Sequence, residues 1–272
     1  MWRNNYDHIS FIEGPRANKM IPKIIWQTYK DPFDSLPQYM KDAANTWKEL
    51  NPEYEYRYMD DSQASDFVKE YYGQEMYDLF MGFPVGVMRG DLWRYLIVYA
   101  YGGIYSDLDT LCKQPIDSWL KPEYDMIVCP EHDLHYCQWA FAASKNNEII
   151  KSVIDLIVER NKNPDYSIPH FVHYYTGPAV WTSGILNALG IEEDNHKCNE
   201  QSSDGRCRHA QLISKSIEQN ELPNLKKKKF FCYGGEDWRI FHHTAVHDLY
   251  GSQNWHEGYV QWIQHPLAKQ SR

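Results

Sequence analysis

The chain has no apolar run long enough to span a membrane. Its first residues, MWRNNYDHISFIEG, lack the basic start and apolar stretch of a secretory signal. These two absences predict a soluble, cytoplasmic protein of microbial or viral origin. None of the six cysteines (Cys112, Cys129, Cys137, Cys198, Cys207, Cys232) stands in a C-x-x-C spacing, which argues against a structural zinc site. Cys198 and Cys207 flank a polar loop and can pair in an oxidising compartment, while buried free thiols are expected for the others. Positive charge is in deficit: 28 Lys and Arg against 37 Asp and Glu give a net −9, which argues against a nucleic-acid-binding surface. The one basic run, Lys226–Lys229, reads as a solvated entry to a strand. Internal repeats and low-complexity blocks are also missing, so solenoid architectures do not apply.

What is present is apolar and aromatic. Apolar residues make up 43% of 272, enough for a sizeable core in one domain. There are 21 Tyr and 10 Trp. Sugars offer an apolar C–H face to such rings, so Trp181, Trp238 and Trp255 are candidate platforms, although each taken singly fits a core position as well.

Pro22–Gln27 reads as a first buried strand and Glu53–Tyr58, which alternates, as a second. A helix is predicted over Ser35–Leu50 with Pro37 in its first turn. A second starts at a cap on Asp61 or Ser62 and closes at Gly73. Tyr77–Tyr101 is helical apart from a break near Gly82-Phe83-Pro84. Asp125–Cys129 and Trp139–Ala143 are further strands, and Asn147–Arg160 is a helix. Thr176-Gly177-Pro178 turns into a helix ending at Gly190. Ala210–Ser214, Phe230–Tyr233 and Ala245–Asp248 are strand candidates beyond it. The alternation implies an α/β fold with a mostly parallel, Rossmann-like sheet and helices on both faces, where ligands sit at the carboxyl ends of strands.

One segment carries chemistry. YGGIYSDLDT, residues 101–110, runs a strand from two helix-ending glycines into Asp107 and Asp109. Two carboxylates at a strand end can hold a hard divalent cation, Mn²⁺ or Mg²⁺, and through it a diphosphate. About one or two D-x-D pairs are expected by chance in a chain this rich in Asp, and the plain reading is an acidic turn. The setting argues for more: the preceding helix places Asp91 and Arg94 three residues apart on one face. As an exposed ion pair they are worth a few tenths of a kcal/mol, about 0.2–0.5.

IPKIIWQT, GDLWRYLIVYAYGGIYSDLDT, TGPAVWT and AVHDLYGSQNW, taken together, resemble the sugar-transferring enzymes of glycosyltransferase family 32 over roughly residues 20 to 260. That family includes fungal initiating mannosyltransferases and bacterial capsule enzymes, and clostridial glucosylating toxins share related motifs. The resemblance implies a GT-A fold, a UDP- or GDP-linked sugar donor, Mn²⁺ or Mg²⁺, and transfer with retention to a glycan, lipid-linked or protein hydroxyl. It implies a single domain over 1–272: an extension (1–20), a nucleotide-sugar half (20–145) and an acceptor-side half (146–272).

It also implies roles. Asp109 is the more direct metal ligand, and Asp107 reaches the donor ribose or the metal's water. Asp91 and Arg94 hold the donor sugar's hydroxyls, although Gly90 stands where the family has serine. Trp26 and Gln27 contact base or ribose. His247 is a third metal ligand or diphosphate contact. The family's G-S-W is split here by Gln253-Asn254, which weakens the case for Ser252 and Trp255. Glu236 and Asp237 lie in an acidic, Gly-rich surface turn with a possible acceptor-side role. The competing classes are a metal-dependent hydrolase of nucleotide-sugars or phosphodiesters, and a non-catalytic sugar-binding protein on the same fold.

Overall fold

The computed structural model describes residues 20–120, 122, 124–128, 130–131, 135–168, 170–189, 230–232 and 241–242. Strand β1 (Ile24–Thr28) leads through a short 3-10 turn into helix α1 (Gln38–Leu50), then β2 (Glu55–Met59), α2 (Asp61–Gly82) and α3 (Gly86–Tyr101). Next come β3 (Gly103–Ser106), β4 (Leu111–Cys112), β5 (Met126–Val128), β6 (Pro130–Glu131), β7 (His135–Tyr136) and β8 (Ala140–Ala143). Helices α4 (Glu148–Arg160), α5 (Phe171–Tyr175) and α6 (Pro178–Leu189) follow, with β9 (Phe230–Cys232) and β10 (Phe241–His242) after them.

The main sheet runs β2-β1-β3-β8-β5-β9. β1 pairs parallel with both β2 and β3, and β5 pairs parallel with β9. β8 is inserted antiparallel between β3 and β5, with Tyr105 opposite Phe141 and Ile127 opposite Ala142. The α/β reading with a mostly parallel sheet therefore holds, and β8 supplies the antiparallel component. Its four residues are all buried, which leaves no alternation from which direction could be read.

Side chains alternate across the sheet as the pleat requires. Trp26, Tyr105, Phe141, Met126 and Val128 face a large core built with α2, α3, α4 and α6. Ile25, Ile104, Ile127, Ala140 and Ala142 face the other way, toward Trp47 of α1. Helices thus cover both faces, and α3 is buried nearly all round.

Local chemistry explains the element ends. α1 begins at Gln38 instead of Ser35, because Pro37 forces Leu36 out of the helical region (ψ 146°). Asp60, one residue before the predicted cap, closes a capping box with Gln63. Gly73 (φ 81°) interrupts α2 where a stop was predicted, yet the helix resumes to Gly82. Gly102 and Gly103 take φ 71° and 116°. A Cβ on Gly103 would sit 2.6 Å from the Ile24 carbonyl oxygen, so this turn brings β3 against β1 only without a side chain. Cys112 and Cys137 are buried free thiols, as expected. No helix among the described residues is long and apolar enough to cross a membrane.

Candidate functional site

The two aspartates follow the last residue of β3, at the carboxyl rim of the parallel strands. The turn is pinned at several points. Asp107 N–H donates to the Trp139 carbonyl (2.7 Å), and its own carbonyl accepts from Thr110 N–H (3.1 Å) and Thr110 Oγ1 (2.6 Å). Leu108, between the aspartates, is buried against Leu36, Met40 and Ala44. That anchor leaves Asp107 and Asp109 partly exposed on either side of it. Burial chiefly raises the Tyr29 hydroxyl pKa, with Tyr39, Asp31 and Asp109 adding to the effect.

The α3 pair is not an exposed ion pair. The Asp91 and Arg94 side chains are 2% and 7% exposed, and Arg94 Nη2 lies 3.1 Å from Asp91 Oδ1. The same nitrogen lies 3.4 Å from Asp107 Oδ1, so one guanidinium joins the helix motif to the D-x-D turn. Tyr105 donates its hydroxyl to Asp107 Oδ1, and its ring lies 4.9 Å from the Arg94 guanidinium carbon. Arg94 Nη1 donates to the Gln138 carbonyl at 3.1 Å. Arg94 Nε is buried with no hydrogen-bond partner among the described residues.

Electrostatics follow from the burial. Burial lifts the Asp91 carboxyl to about 6, against the lowering pull of Arg94 and of hydrogen bonds from Thr176 and Gln138. Burial disfavours charge on Arg94 too, but Asp107, Tyr105 and Asp91 outweigh it and the guanidinium pKa is raised. Arg94 is therefore a fixed cation between two acids.

Two residues that the sequence reading did not single out complete this network. Gln138 Nε2 donates to Asp91 Oδ1 (3.2 Å), and Thr176 Oγ1 donates to Asp91 Oδ2 (2.9 Å). They lie 47 and 85 residues from Asp91, and no local spacing signals either of them. The sequence pattern marks Thr176 only as part of a turn.

Trp26, expected against base or ribose, is wholly buried and donates its indole N–H to the Gly102 carbonyl (2.9 Å). Gln27, expected in the same role, is also buried. Its amide donates to the Asp107 carbonyl (3.2 Å) and accepts from the Tyr56 hydroxyl (2.7 Å), so it underpins the aspartate turn. Trp181 is a core residue, stacked on Tyr95 at 5.1 Å and bonded to the Cys137 carbonyl. His247, Ser252, Trp255, Trp238, Glu236, Asp237, the Cys198/Cys207 pair and Lys226–Lys229 lie outside the described residues.

Among the described residues, no three His, Cys, Asp or Glu side chains come together as a metal site. The two partly exposed aspartates nonetheless fit Mg²⁺ or Mn²⁺. These ions bind through one or two carboxylates and take their remaining oxygens from phosphates and water. An open groove of about 460 Å³ between α4 and α6, lined by Lys151, Asp155 and Glu159 among others, shares no residue with this network.

Comparison with known proteins agrees with the resemblance read from the sequence. Residues 37–125 match the model of the glycosyltransferase sugar-binding region containing the DXD motif. Asp107-Leu108-Asp109 is the one D-x-D in that stretch, which also contains Asp91 and Arg94. The chain is 31% identical over 201 residues to an initiation-specific alpha-1,6-mannosyltransferase of Schizosaccharomyces pombe, covering 62% of this chain and 49% of that protein. It is 27% identical over 208 residues to the protein of the same name from Candida albicans, covering 63% and 54%. The chain thus spans about half the length of these curated relatives. In structure it resembles the PaToxG glycosyltransferase, with a TM-score of 0.50 and 17% identity over 82% of this chain and 85% of that one. That likeness shows the fold, a GT-A-like α/β arrangement. Residues 37–125 are thus similar to the sugar-binding region of DXD glycosyltransferases, and the fold is similar to that of a solved glycosyltransferase.

Proposed function

We propose that this chain is a metal-dependent, retaining glycosyltransferase. On this reading it moves a hexose or N-acetylhexosamine from a UDP- or GDP-linked donor to a glycan, lipid-linked or protein hydroxyl. Mannose is the first donor sugar to test, because the relatives named above are mannosyltransferases. The observation that carries the reading is the single buried guanidinium of Arg94 between Asp91 and Asp107. It ties a sugar-facing pair to a metal-facing turn, which is the juxtaposition a nucleotide-sugar requires.

Asp109 and Asp107 would hold the cation, with His247 as a third ligand from outside the described residues. A bound Mn²⁺ or Mg²⁺ supplies charge stabilisation to the departing diphosphate. The chain's own residues do the rest. Asp91 uses three of its roughly four acceptor directions on Arg94, Gln138 and Thr176, leaving one on Oδ2. Arg94 keeps its Nε–H. A sugar hydroxyl, both donor and acceptor, satisfies the two together. That contact would hold the donor sugar in one orientation at the site. Retention is assigned to front-side attack, as the family resemblance implies. Trp26 has no exposed ring to offer a base, so the nucleotide contact is assigned to other groups at the strand rim.

The test is a panel of UDP- and GDP-sugars incubated with Mn²⁺ or with a chelator, followed by chromatography of the nucleotides. Slow release of nucleoside diphosphate that depends on metal and is accelerated by an acceptor is expected. Release of nucleoside monophosphate would instead identify a phosphodiesterase, and release of nothing a binding protein.

A further inference from the structure

We propose that Gln138 is a positioning residue for the donor sugar, acting through Asp91 in concert with Thr176; this rests on the transferase reading above. The Gln138 side chain is held at both ends. Its Nε2 donates to Asp91 Oδ1 at 3.2 Å, and its Oε1 accepts from the Tyr95 hydroxyl. The Tyr95 hydroxyl also lies 3.2 Å from the Thr176 carbonyl, while Thr176 Oγ1 donates to Asp91 Oδ2 at 2.9 Å. The contacts close a ring: Tyr95, Gln138, Asp91, Thr176 and back to Tyr95. All four side chains are buried.

The ring fixes the orientation of the amide. Reversed, it would set Oε1 against the Asp91 carboxylate, acceptor against acceptor, while Nε2 faced the Tyr95 hydroxyl oxygen. Only one orientation therefore satisfies both neighbours. The Gln138 backbone adds a second hold, because its carbonyl accepts Arg94 Nη1 at 3.1 Å. One residue thus supports both members of the sugar-facing pair, the carboxylate through its side chain and the guanidinium through its main chain. Trp181 stacks on Tyr95 and seats the ring on α6. Asp91 Oδ1 is saturated by Arg94 and Gln138, which leaves the outstanding acceptor position on Oδ2. Without Gln138, Oδ1 loses one of its two donors and the carboxylate is held by Arg94 and Thr176 alone.

Hydrogen bonds to a buried charge are strong enough for this to be measurable, about tenfold or more in affinity for each one lost. The effect should fall on the sugar more than on the nucleotide, because the Gln138 and Thr176 side chains both bond to Asp91.

The experiment is calorimetric binding of a nucleoside diphosphate and of the matching nucleotide-sugar, with Mn²⁺, to the full chain and to Gln138→Leu, Thr176→Val and Thr176→Ser. Donor turnover is measured on the same samples. Gln138→Leu and Thr176→Val should weaken the nucleotide-sugar about tenfold and leave the diphosphate unchanged, and Thr176→Ser should restore wild-type binding. Equal losses for both ligands, or none for either, would overturn the positioning role. Should Gln138→Leu fail to fold, the Thr176→Val and Thr176→Ser pair decides alone. A wild-type protein that binds and turns over no nucleotide-sugar would remove the transferase reading and this inference together. A wild-type enzyme active beside unaffected variants would remove only the inference.

Discussion

Replacing Asp91 with asparagine should make the protein gain stability relative to wild type as pH rises toward neutral, while disabling it. The side chain is 2% exposed, and burial lifts its carboxyl from 3.8 to about 6 even with Arg94 beside it. Below pH 3.8 the group is protonated in both folded and unfolded chains and contributes no difference. Between 3.8 and 6 the unfolded chain releases its proton while the folded one keeps it, so folding loses ground as pH rises. Above 6 both forms are ionised and the full penalty applies, on the order of 3 kcal/mol for a shift of this size. Asparagine keeps the shape and cannot ionise. Urea unfolding of wild type and Asp91→Asn, measured side by side from pH 3.5 to 8, isolates this group because other titrations cancel in the difference. The variant's advantage should grow by about 3 kcal/mol across that window and level off above pH 6. Donor binding should move the opposite way, lost in the variant and falling in wild type as pH drops through 6. A flat difference curve, or wild type gaining on the variant as pH rises, would show that pairing with Arg94 outweighs burial and would refute the reasoning.

Asp109→Asn should abolish metal-dependent diphosphate release and leave the fold intact, since its side chain sits on a partly exposed turn. Circular dichroism together with the nucleotide assay checks both halves, and retained metal-dependent turnover would count against the site. Gly184→Ala should cost about 1–3 kcal/mol, because the added Cβ would lie 2.6 Å from Val153 Cα and force α6 away from α4. Urea midpoints of the variant and wild type give that number directly.

Much of the first half of the fold was legible from local pattern. The short apolar run of β1, the capping residues before α2 and the break between α2 and α3 each have a nearest-neighbour cause. The Gly-Gly before β3 does as well. Direction and role were harder to read. β8 is a run of small apolar residues, and such a run looks the same whether it pairs parallel or antiparallel. Trp26 and Gln27 lie on β1, next to β3, but which way a side chain turns from a strand end depends on its partners. Here those partners are Gly102 and the Asp107 carbonyl, 76 and 80 residues away.

The sequence by itself determined that two aspartates end a strand and that Asp91 and Arg94 share a helix face, since backbone periodicity decides both. Only tertiary packing decided that α3 would be buried nearly all round, which turns a surface ion pair into a desolvated one with a perturbed carboxyl. Packing also brought Gln138 and Thr176 to that carboxylate. Contacts between residues 47 and 85 positions apart depend on how sheet and helices close on each other, and no repeat in the chain records that closure.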